Sequence, residues 1–399
     1  MNSGKKKIIF VLLISPSFFL NYATLLLLDH NNNLSFFSTI FIFSFNFINI
    51  FFSIIYYKYN FKIVFSLLLY CSALFLIFDF ALEKVINKKS IVKENKDLGW
   101  VLKPNKNINF TQETFKGKKY KVSFKTSAVE GFREYADLNS KNKKILIIGD
   151  SYTGGPFASD EEMYYSIIRN ILKKNNITFD WFVLAAGGYG TAQQFILLKK
   201  HHEIIKPDII LHQFCVNDFF DNSVKISQLS TAHDQYFRRP YIKDGKIFKV
   251  ENNFSKIYRF LYKYSFIFKK FDQIYNYKQF RNYGRFKKII PKEFIEESIK
   301  NTENLIFEIR KLVGPNTLYF SINCADKKNN YLSPEWEKII NKINGYPLVN
   351  PSNQIVKLKE DGLDVNHEDG GHLNIYGNKI YGELIANEML NIFKNEKYQ

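Results

Sequence analysis

The first 82 residues contain three stretches too long and too apolar for ordinary core helices. Ile8 to Leu28 is 21 residues without a charge, Leu34 to Tyr57 is 24 without a charge, and Ile63 to Leu82 is 20 with one acid, Asp79, near its end. At about 1.5 Å per helical residue each reaches across a hydrocarbon core about 30 Å thick. None carries the polar stripe of a soluble helix. The expectation is a membrane domain over residues 1–82 with three transmembrane helices at 8–28, 34–57 and 63–82. Lys5 to Lys7 imitate the basic start of a signal peptide, but the apolar run overshoots an h-region and no small-residue cleavage site follows. This segment is expected to stay attached. Lysines precede the first helix and, as Lys58 and Lys62, lie between the second and third, whereas the loop Asp29 to Asn33 has none. The positive-inside rule then puts the amino terminus in the cytoplasm and everything after Leu82 outside it. That is a multi-pass topology in a bacterial inner membrane, with the lipid bilayer as a partner. Asp79 reads as an interfacial, hydrated carboxylate within a turn of its helix end.

The remaining 317 residues have ample apolar material for a core, since 46% of the whole chain is hydrophobic and 17% aromatic. Disordered and collagenous classes are excluded. Three cysteines, Cys71, Cys215 and Cys324, make neither a disulfide framework nor the paired spacing of a structural zinc site. The net charge of +18 falls as +3 on residues 1–82 and +15 on 83–399, where Lys is spread among Asn, Ile, Tyr and Phe. Such dispersal fits a compositional habit better than phosphate recognition, so no nucleic acid is expected.

Residues 83–142 are polar with short alternations such as Tyr120 to Phe124, and read as a stalk and a strand-bearing lead-in. From residue 143 the texture changes. Apolar runs at Ile145 to Ile148, Asp180 to Ala186, Asp208 to Phe214 and Leu318 to Asn323 alternate with amphipathic segments at Glu161 to Lys174, Gln193 to Ile205 and Phe294 to Val313. A further helix begins at Ser333, and a closing one runs from about Asn374 to Phe393. Buried-type strands alternating with helices predict an α/β fold with a parallel sheet covered on both faces. Residues 222–291, dense in Tyr, Phe and Lys, interrupt this order and read as an insertion. Covering the site, binding an acyl chain, lying on a membrane interface and simply capping the domain all remain open for it.

Ligands in such sheets sit at the carboxyl ends of the strands, and the residues there carry chemistry. The first strand runs into Gly149, Asp150 and Ser151; the second into Gly187, Gly188 and Gly190; the third into Cys215, Val216, Asn217 and Asp218. Near the end Asp369 precedes His372 by three residues across two glycines, a spacing that lets the carboxylate fold back on the imidazole. Taken singly, a Gly-Asp-Ser turn or a glycine turn is commonplace.

Together, over roughly residues 143–395, these four blocks resemble the SGNH (GDSL-type) hydrolase superfamily, as do the stretches Val129 to Arg133 and Arg239 to Gly245. The resemblance implies a three-layer αβα, flavodoxin-like domain over 143–399. It also implies Ser151 as nucleophile, His372 as base and Asp369 as its partner, with the oxyanion held by the Ser151 amide, Gly188 and Asn217. No metal or other cofactor is required. Three departures from the family pattern stand out. Cys215 replaces the block-three glycine, so that its side chain narrows the pocket; block two lacks its usual Asn; and a second Asp-x-x-His, Asp364 to His367, overlaps the last block. His372 is preferred because Leu373, Asn374 and Gly377 then open the final helix. His201, His202 and His212 read as structural.

The expected function is a membrane-anchored serine esterase acting through an acyl-enzyme on an O-acylated envelope glycan or lipid. One alternative is an O-acyltransferase of cell-surface polysaccharide, which would need a membrane-embedded acyl-donor partner because three helices are few for an acyl-conducting pore. The other is a catalytically idle glycan-binding or scaffold module.

Overall fold

The computed structural model describes residues 91–395 apart from 232, 244, 252, 287, 315–316, 325–332 and 343–346, together with Ile50, Phe51, Ile54 and Asp79. Apart from those last four residues, the three expected transmembrane spans therefore lie outside the described residues, as does the start of the stalk. Among the described residues no helix is long and apolar enough to cross a membrane. Residues 89–399 form one compact unit.

Strands in this unit are β1 (Val92–Asn95), β2 (Gly99–Leu102), β3 (Asn107–Glu113), β4 (Lys119–Lys125), β5 (Glu134–Tyr135), β6 (Lys144–Gly149), β7 (Asp180–Ala185), β8 (Ile209–Phe214), β9 (Tyr241–Lys243), β10 (Lys246–Phe248), β11 (Leu318–Asn323) and β12 (Leu348–Val349). The helices are α1 (Ser151–Gly154), α2 (Tyr164–Lys174), α3 (Thr191–Ile205), α4 (Asn217–Asp221), α5 (Val224–Leu229), α6 (His233–Arg238), α7 (Asn253–Tyr264), α8 (Phe266–Tyr283), α9 (Lys292–Val313), α10 (Ser333–Asn341), α11 (Ser352–Glu360) and α12 (Ile375–Asn395). A six-stranded sheet runs in the order β12-β11-β8-β6-β7-β5, parallel throughout except for the antiparallel edge strand β5.

Period-two alternation sends successive strand residues to opposite faces. Leu146, Ile148, Phe182, Leu184 and Ile210 meet α3, α9 and α10, whereas Ile145, Ile147, Trp181, Val183 and Leu211 meet α2 and α12. The result is the expected three-layer α/β arrangement. The chain leaves β6 for β7 on one side and returns to β8 on the other, so the connections on either side of β6 open a crevice at the carboxyl edge. Ser151, Gly187–Gly188 and Asn217 follow the three strands around this switch point.

The lead-in is built into the same unit. Antiparallel pairs β1–β2 and β3–β4 precede β5, which joins the main sheet, and Leu98, Trp100, Val101 and Phe132 enter its core. In the insertion the strand and helix alternation gives way to four helices, α5 to α8, and the small hairpin β9–β10.

His212 is structural, as expected. Fully buried on β8, it hydrogen-bonds Tyr319 through Nδ1 and lies with Nε2 2.5 Å from Gln194 Oε1. Burial disfavours the imidazolium and lowers its pKa from 6.5 to about 3. Folding thus favours the neutral ring: its contribution is present above pH about 6.5 and is lost as pH falls towards 3, where the unfolded chain takes up the proton first. Thermal melts at pH 7 and pH 4 are expected to show wild type losing more stability between the two than His212→Gln does.

Candidate active site

Ser151 stands where β6 ends and the single-turn helix α1 begins. Asp150 caps that turn: its buried carboxylate accepts from the Tyr152 amide at 2.9 Å and from Asn217 Nδ2 at 3.4 Å, while its own amide donates to Gln213 Oε1 at 3.1 Å. Burial pushes the Asp150 carboxyl up, and the Tyr152 amide and nearby His372 oppose the shift. Strand, turn and helix together fix the serine side chain.

Its hydroxyl lies 2.7 Å from His372 Nε2, and His372 Nδ1 lies 2.5 Å from Asp369 Oδ2. The other carboxylate oxygen accepts from the amides of Gly371 and His372 at 2.9 and 3.0 Å, so the three-residue spacing folds back as its sequence implied. Gly370 makes the turn at φ +71°, a backbone region costly for other residues. Burial pushes the Asp369 carboxyl up, but its contacts with His367 and His372 and the latter's charge outweigh it. They hold the group well below the usual carboxylate range. A carboxylate on Nδ1–H leaves the Nε2 lone pair facing the serine hydroxyl, the arrangement a general base needs.

The overlapping Asp-x-x-His does not form a second pair. Asp364 instead accepts from the Thr114 hydroxyl at 2.5 Å, and His367 turns to the same Asp369, with Nδ1 3.4 Å from Oδ2. The Nε2 of His367 lies 3.1 Å from Oε1 of Gln112 on β3, whose amide group donates to the Pro156 carbonyl at 2.8 Å. That bond orients the Gln112 amide so that its oxygen accepts from His367. Backbone bonds from Phe115 to Asn366 and from Glu368 to Glu113 tie the β3–β4 hairpin to the histidine loop. Phe157 stacks on His372 with ring centroids 4.0 Å apart. Its loop is pinned by the guanidinium of Arg133, which donates to the carbonyls of Gly155 and Ala158, each at 2.9 Å, and pairs with Asp160.

Beside Ser151, a Cβ at Gly187 would stand 3.9 Å from that of the serine, and Gly188 takes φ +77°. A Cβ on Gly188 would press on Gln235 Nε2 at 3.2 Å and Trp100 Cζ2 at 3.4 Å, and the positive φ favours glycine here. The support that block two lacks in its own sequence comes from β2: Trp100 Nε1 donates to the Gly187 carbonyl at 2.9 Å. Asn217 Nδ2 is shared between Asp150 and, at 3.3 Å, Asp221. Burial pushes Asp221 up, but Arg239 at 2.9 Å and Arg285 at 2.7 Å outweigh it and hold the carboxyl below its ordinary value.

Cys215 corrects one expectation. Its side chain does not narrow the pocket: it is fully buried and forms a disulfide with Cys324 at the end of the neighbouring strand. Parallel pairing in register, Phe214 beside Asn323, brings the next two residues together with Cα atoms 5.1 Å apart.

Sequence reasoning did not find Trp100, Gln112, Phe157, Asp221 or Gln235. Asp221 had a signal, its i+4 spacing from Asn217 on α4. So did Arg133 and Arg239, which lie in the two stretches that carry the family resemblance; the others reach the site through tertiary contacts alone. Among the described residues no group of acidic, histidine and cysteine side chains is arranged to hold a metal.

No family model matches the sequence, and no curated protein matches it. Among solved structures the chain is similar to a family 3 carbohydrate esterase from Clostridium thermocellum, at 14% identity and TM-score 0.37, over 64% of this chain and 98% of that one. It is also similar to a psychrotrophic esterase from Pseudoalteromonas sp., at 10% identity and TM-score 0.36, over 63% and 100%. A catalytic mutant of an acetylxylan esterase from Geobacillus stearothermophilus matches at 12% identity and TM-score 0.34, over 62% and 93%.

Proposed function

We propose that the protein is a serine esterase of the SGNH type. Ser151 attacks an ester carbonyl while His372 takes its proton, and Asp369 orients and stabilises the imidazolium. The amides of Ser151 and Gly188 receive the tetrahedral oxyanion, and the Asn217 carboxamide joins them by turning one of its two N–H groups from a carboxylate to the oxyanion. His372 then protonates the leaving alcohol, and water attacks the acyl-enzyme with the same imidazole as base. The observation that carries this reading is the unbroken chain from Ser151 Oγ through His372 to Asp369, 2.7 and 2.5 Å long at its two links.

The substrate in this reading is an O-acylated glycan or lipid of the cell envelope, met by a domain held at a membrane through residues 1–82. The Cys215–Cys324 disulfide supports an oxidising compartment and hence an extracytoplasmic domain.

Fluorophosphonate labelling of the full chain tests the chemistry. Wild type is expected to label and Ser151→Ala and His372→Ala to remain blank; labelling that survives in Ser151→Ala would overturn the assignment. Product analysis with a glycan acceptor then separates hydrolysis from transfer, free acid supporting the esterase and acylated acceptor the transferase. Asn217→Ala is expected to lower kcat by about 10²- to 10³-fold with little change in KM, the usual cost of one oxyanion donor. Steady-state kinetics on an aryl acetate, with a melting curve to confirm folding, checks it.

A further inference from the structure

Helices α7 and α8 of the insertion present large apolar side chains to solvent at a density unlike the rest of the unit. On α7, Tyr258 and Tyr262 turn inward and pack with Phe237 of α6, whereas Ile257, Phe260 and Tyr264, at i, i+3 and i+7, form an exposed stripe. On α8, 18 residues long, Phe266 alone is buried, and Ile274, Tyr277 and Phe280 are each more than half exposed, Tyr277 reaching 68%. A soluble helix ordinarily hides such side chains, and a contiguous exposed apolar patch marks an interaction surface.

The charge around this patch points to the partner. Residues 253–283, the two helices themselves, carry seven Lys and Arg against one acid, Asp272, a net of +6 and so a third of the whole chain's +18. Two copies of such a face would repel one another. A negatively charged lipid surface satisfies both halves of the pattern: Tyr and Phe settle at headgroup depth, and Lys and Arg are drawn to the anionic layer.

We propose that the α7–α8 pair docks on an anionic lipid bilayer, its exposed aromatic stripe entering the interfacial layer and its basic side chains meeting the headgroups. This surface is joined to the candidate active site by one short helix. On α6, Phe237 packs against Tyr258 and Tyr262, while Gln235 lies against Gly188. Docking would hold the reaction centre close to the membrane surface, where a lipid or a membrane-proximal glycan is within reach.

Single tryptophan reporters in the full chain test this. The native indoles, Trp100, Trp181 and Trp336, are 5%, 2% and 0% exposed, out of reach of the quencher, and add a constant background that the unsubstituted chain measures. Phe260→Trp and Tyr277→Trp, with Phe307→Trp as an exposed control on α9, are reconstituted into phosphatidylglycerol or phosphatidylcholine vesicles doped with lipid brominated on its acyl chain. Reporters at 260 and 277 are expected to be quenched several-fold more strongly than 307 in the anionic vesicles. The difference is expected to shrink in phosphatidylcholine, in 1 M salt, where the Debye length falls to about 3 Å, and in the triple variant Lys256→Glu/Lys263→Glu/Lys270→Glu. Equal quenching at all three positions overturns the proposal. So does an unquenched blue shift at 260 that grows with protein concentration, which would assign the face to a second copy. Labelling of Ser151 is independent of either outcome, so failure here leaves the esterase reading standing.

Discussion

Ser151→Ala is expected to lower kcat on an activated aryl ester by about 10⁵- to 10⁶-fold, and His372→Ala by a similar factor, because nucleophile and base act as one unit. Without the imidazole the Ser151 hydroxyl keeps its proton at neutral pH; without the hydroxyl the imidazole has nothing to activate. The double variant is therefore expected to be no worse than either single one. Asp369→Asn leaves both partners in place but offers Nδ1 a neutral amide, with an expected loss of about 10⁴-fold. Active-site titration alongside kcat checks the series. Additive losses in the double variant would break the link between the two residues.

Loss of the Cys215–Cys324 disulfide is expected to destabilise the domain by about 4–5 kcal/mol. The bridge closes a loop with a sequence separation of 109, and in the chain-entropy account a loop of about 100 residues removes roughly 4.7 kcal/mol of freedom from the unfolded chain. Urea unfolding of wild type, of Cys215→Ala/Cys324→Ala, and of wild type under reductant measures it; an unchanged midpoint would show that the bridge does not form. The functional effect should come earlier than the structural one. Asn217 stands two residues beyond Cys215, so slack at the end of β8 reaches the oxyanion donor directly. Reductant is expected to depress kcat at urea concentrations where the fold is still intact.

Strands β6, β7, β8 and β11 were legible because each is a continuous apolar run bounded by turn residues, a pattern that only a sheet covered on both faces explains. The residues at their ends were legible too, since a parallel sheet concentrates chemistry at its carboxyl edge. Ser151, Gly188, Asn217, Asp369 and His372 were all named from that rule and the four-block resemblance. What escaped depends on strand order and register, which no local spacing encodes. Cys215 and Cys324 face each other only because β8 and β11 are neighbours paired Phe214 to Asn323. Trp100, Gln112 and Arg133 reach the site only because the lead-in folds over the sheet edge rather than extending away from it. Phe157 carries no signal of its own beyond lying six residues after the serine.

The two ends of the proton path, Ser151 and His372, are 221 residues apart in the chain, and that separation sets a timetable. At a synthesis rate of about 5–20 residues per second, the serine emerges roughly 10–40 s before the histidine exists. The last helix, α12, must also close on α2 before the histidine loop is held. A nascent chain thus carries an inert serine until the histidine loop is made. Esters near the growing chain are safe from it until the histidine loop has been made and folded.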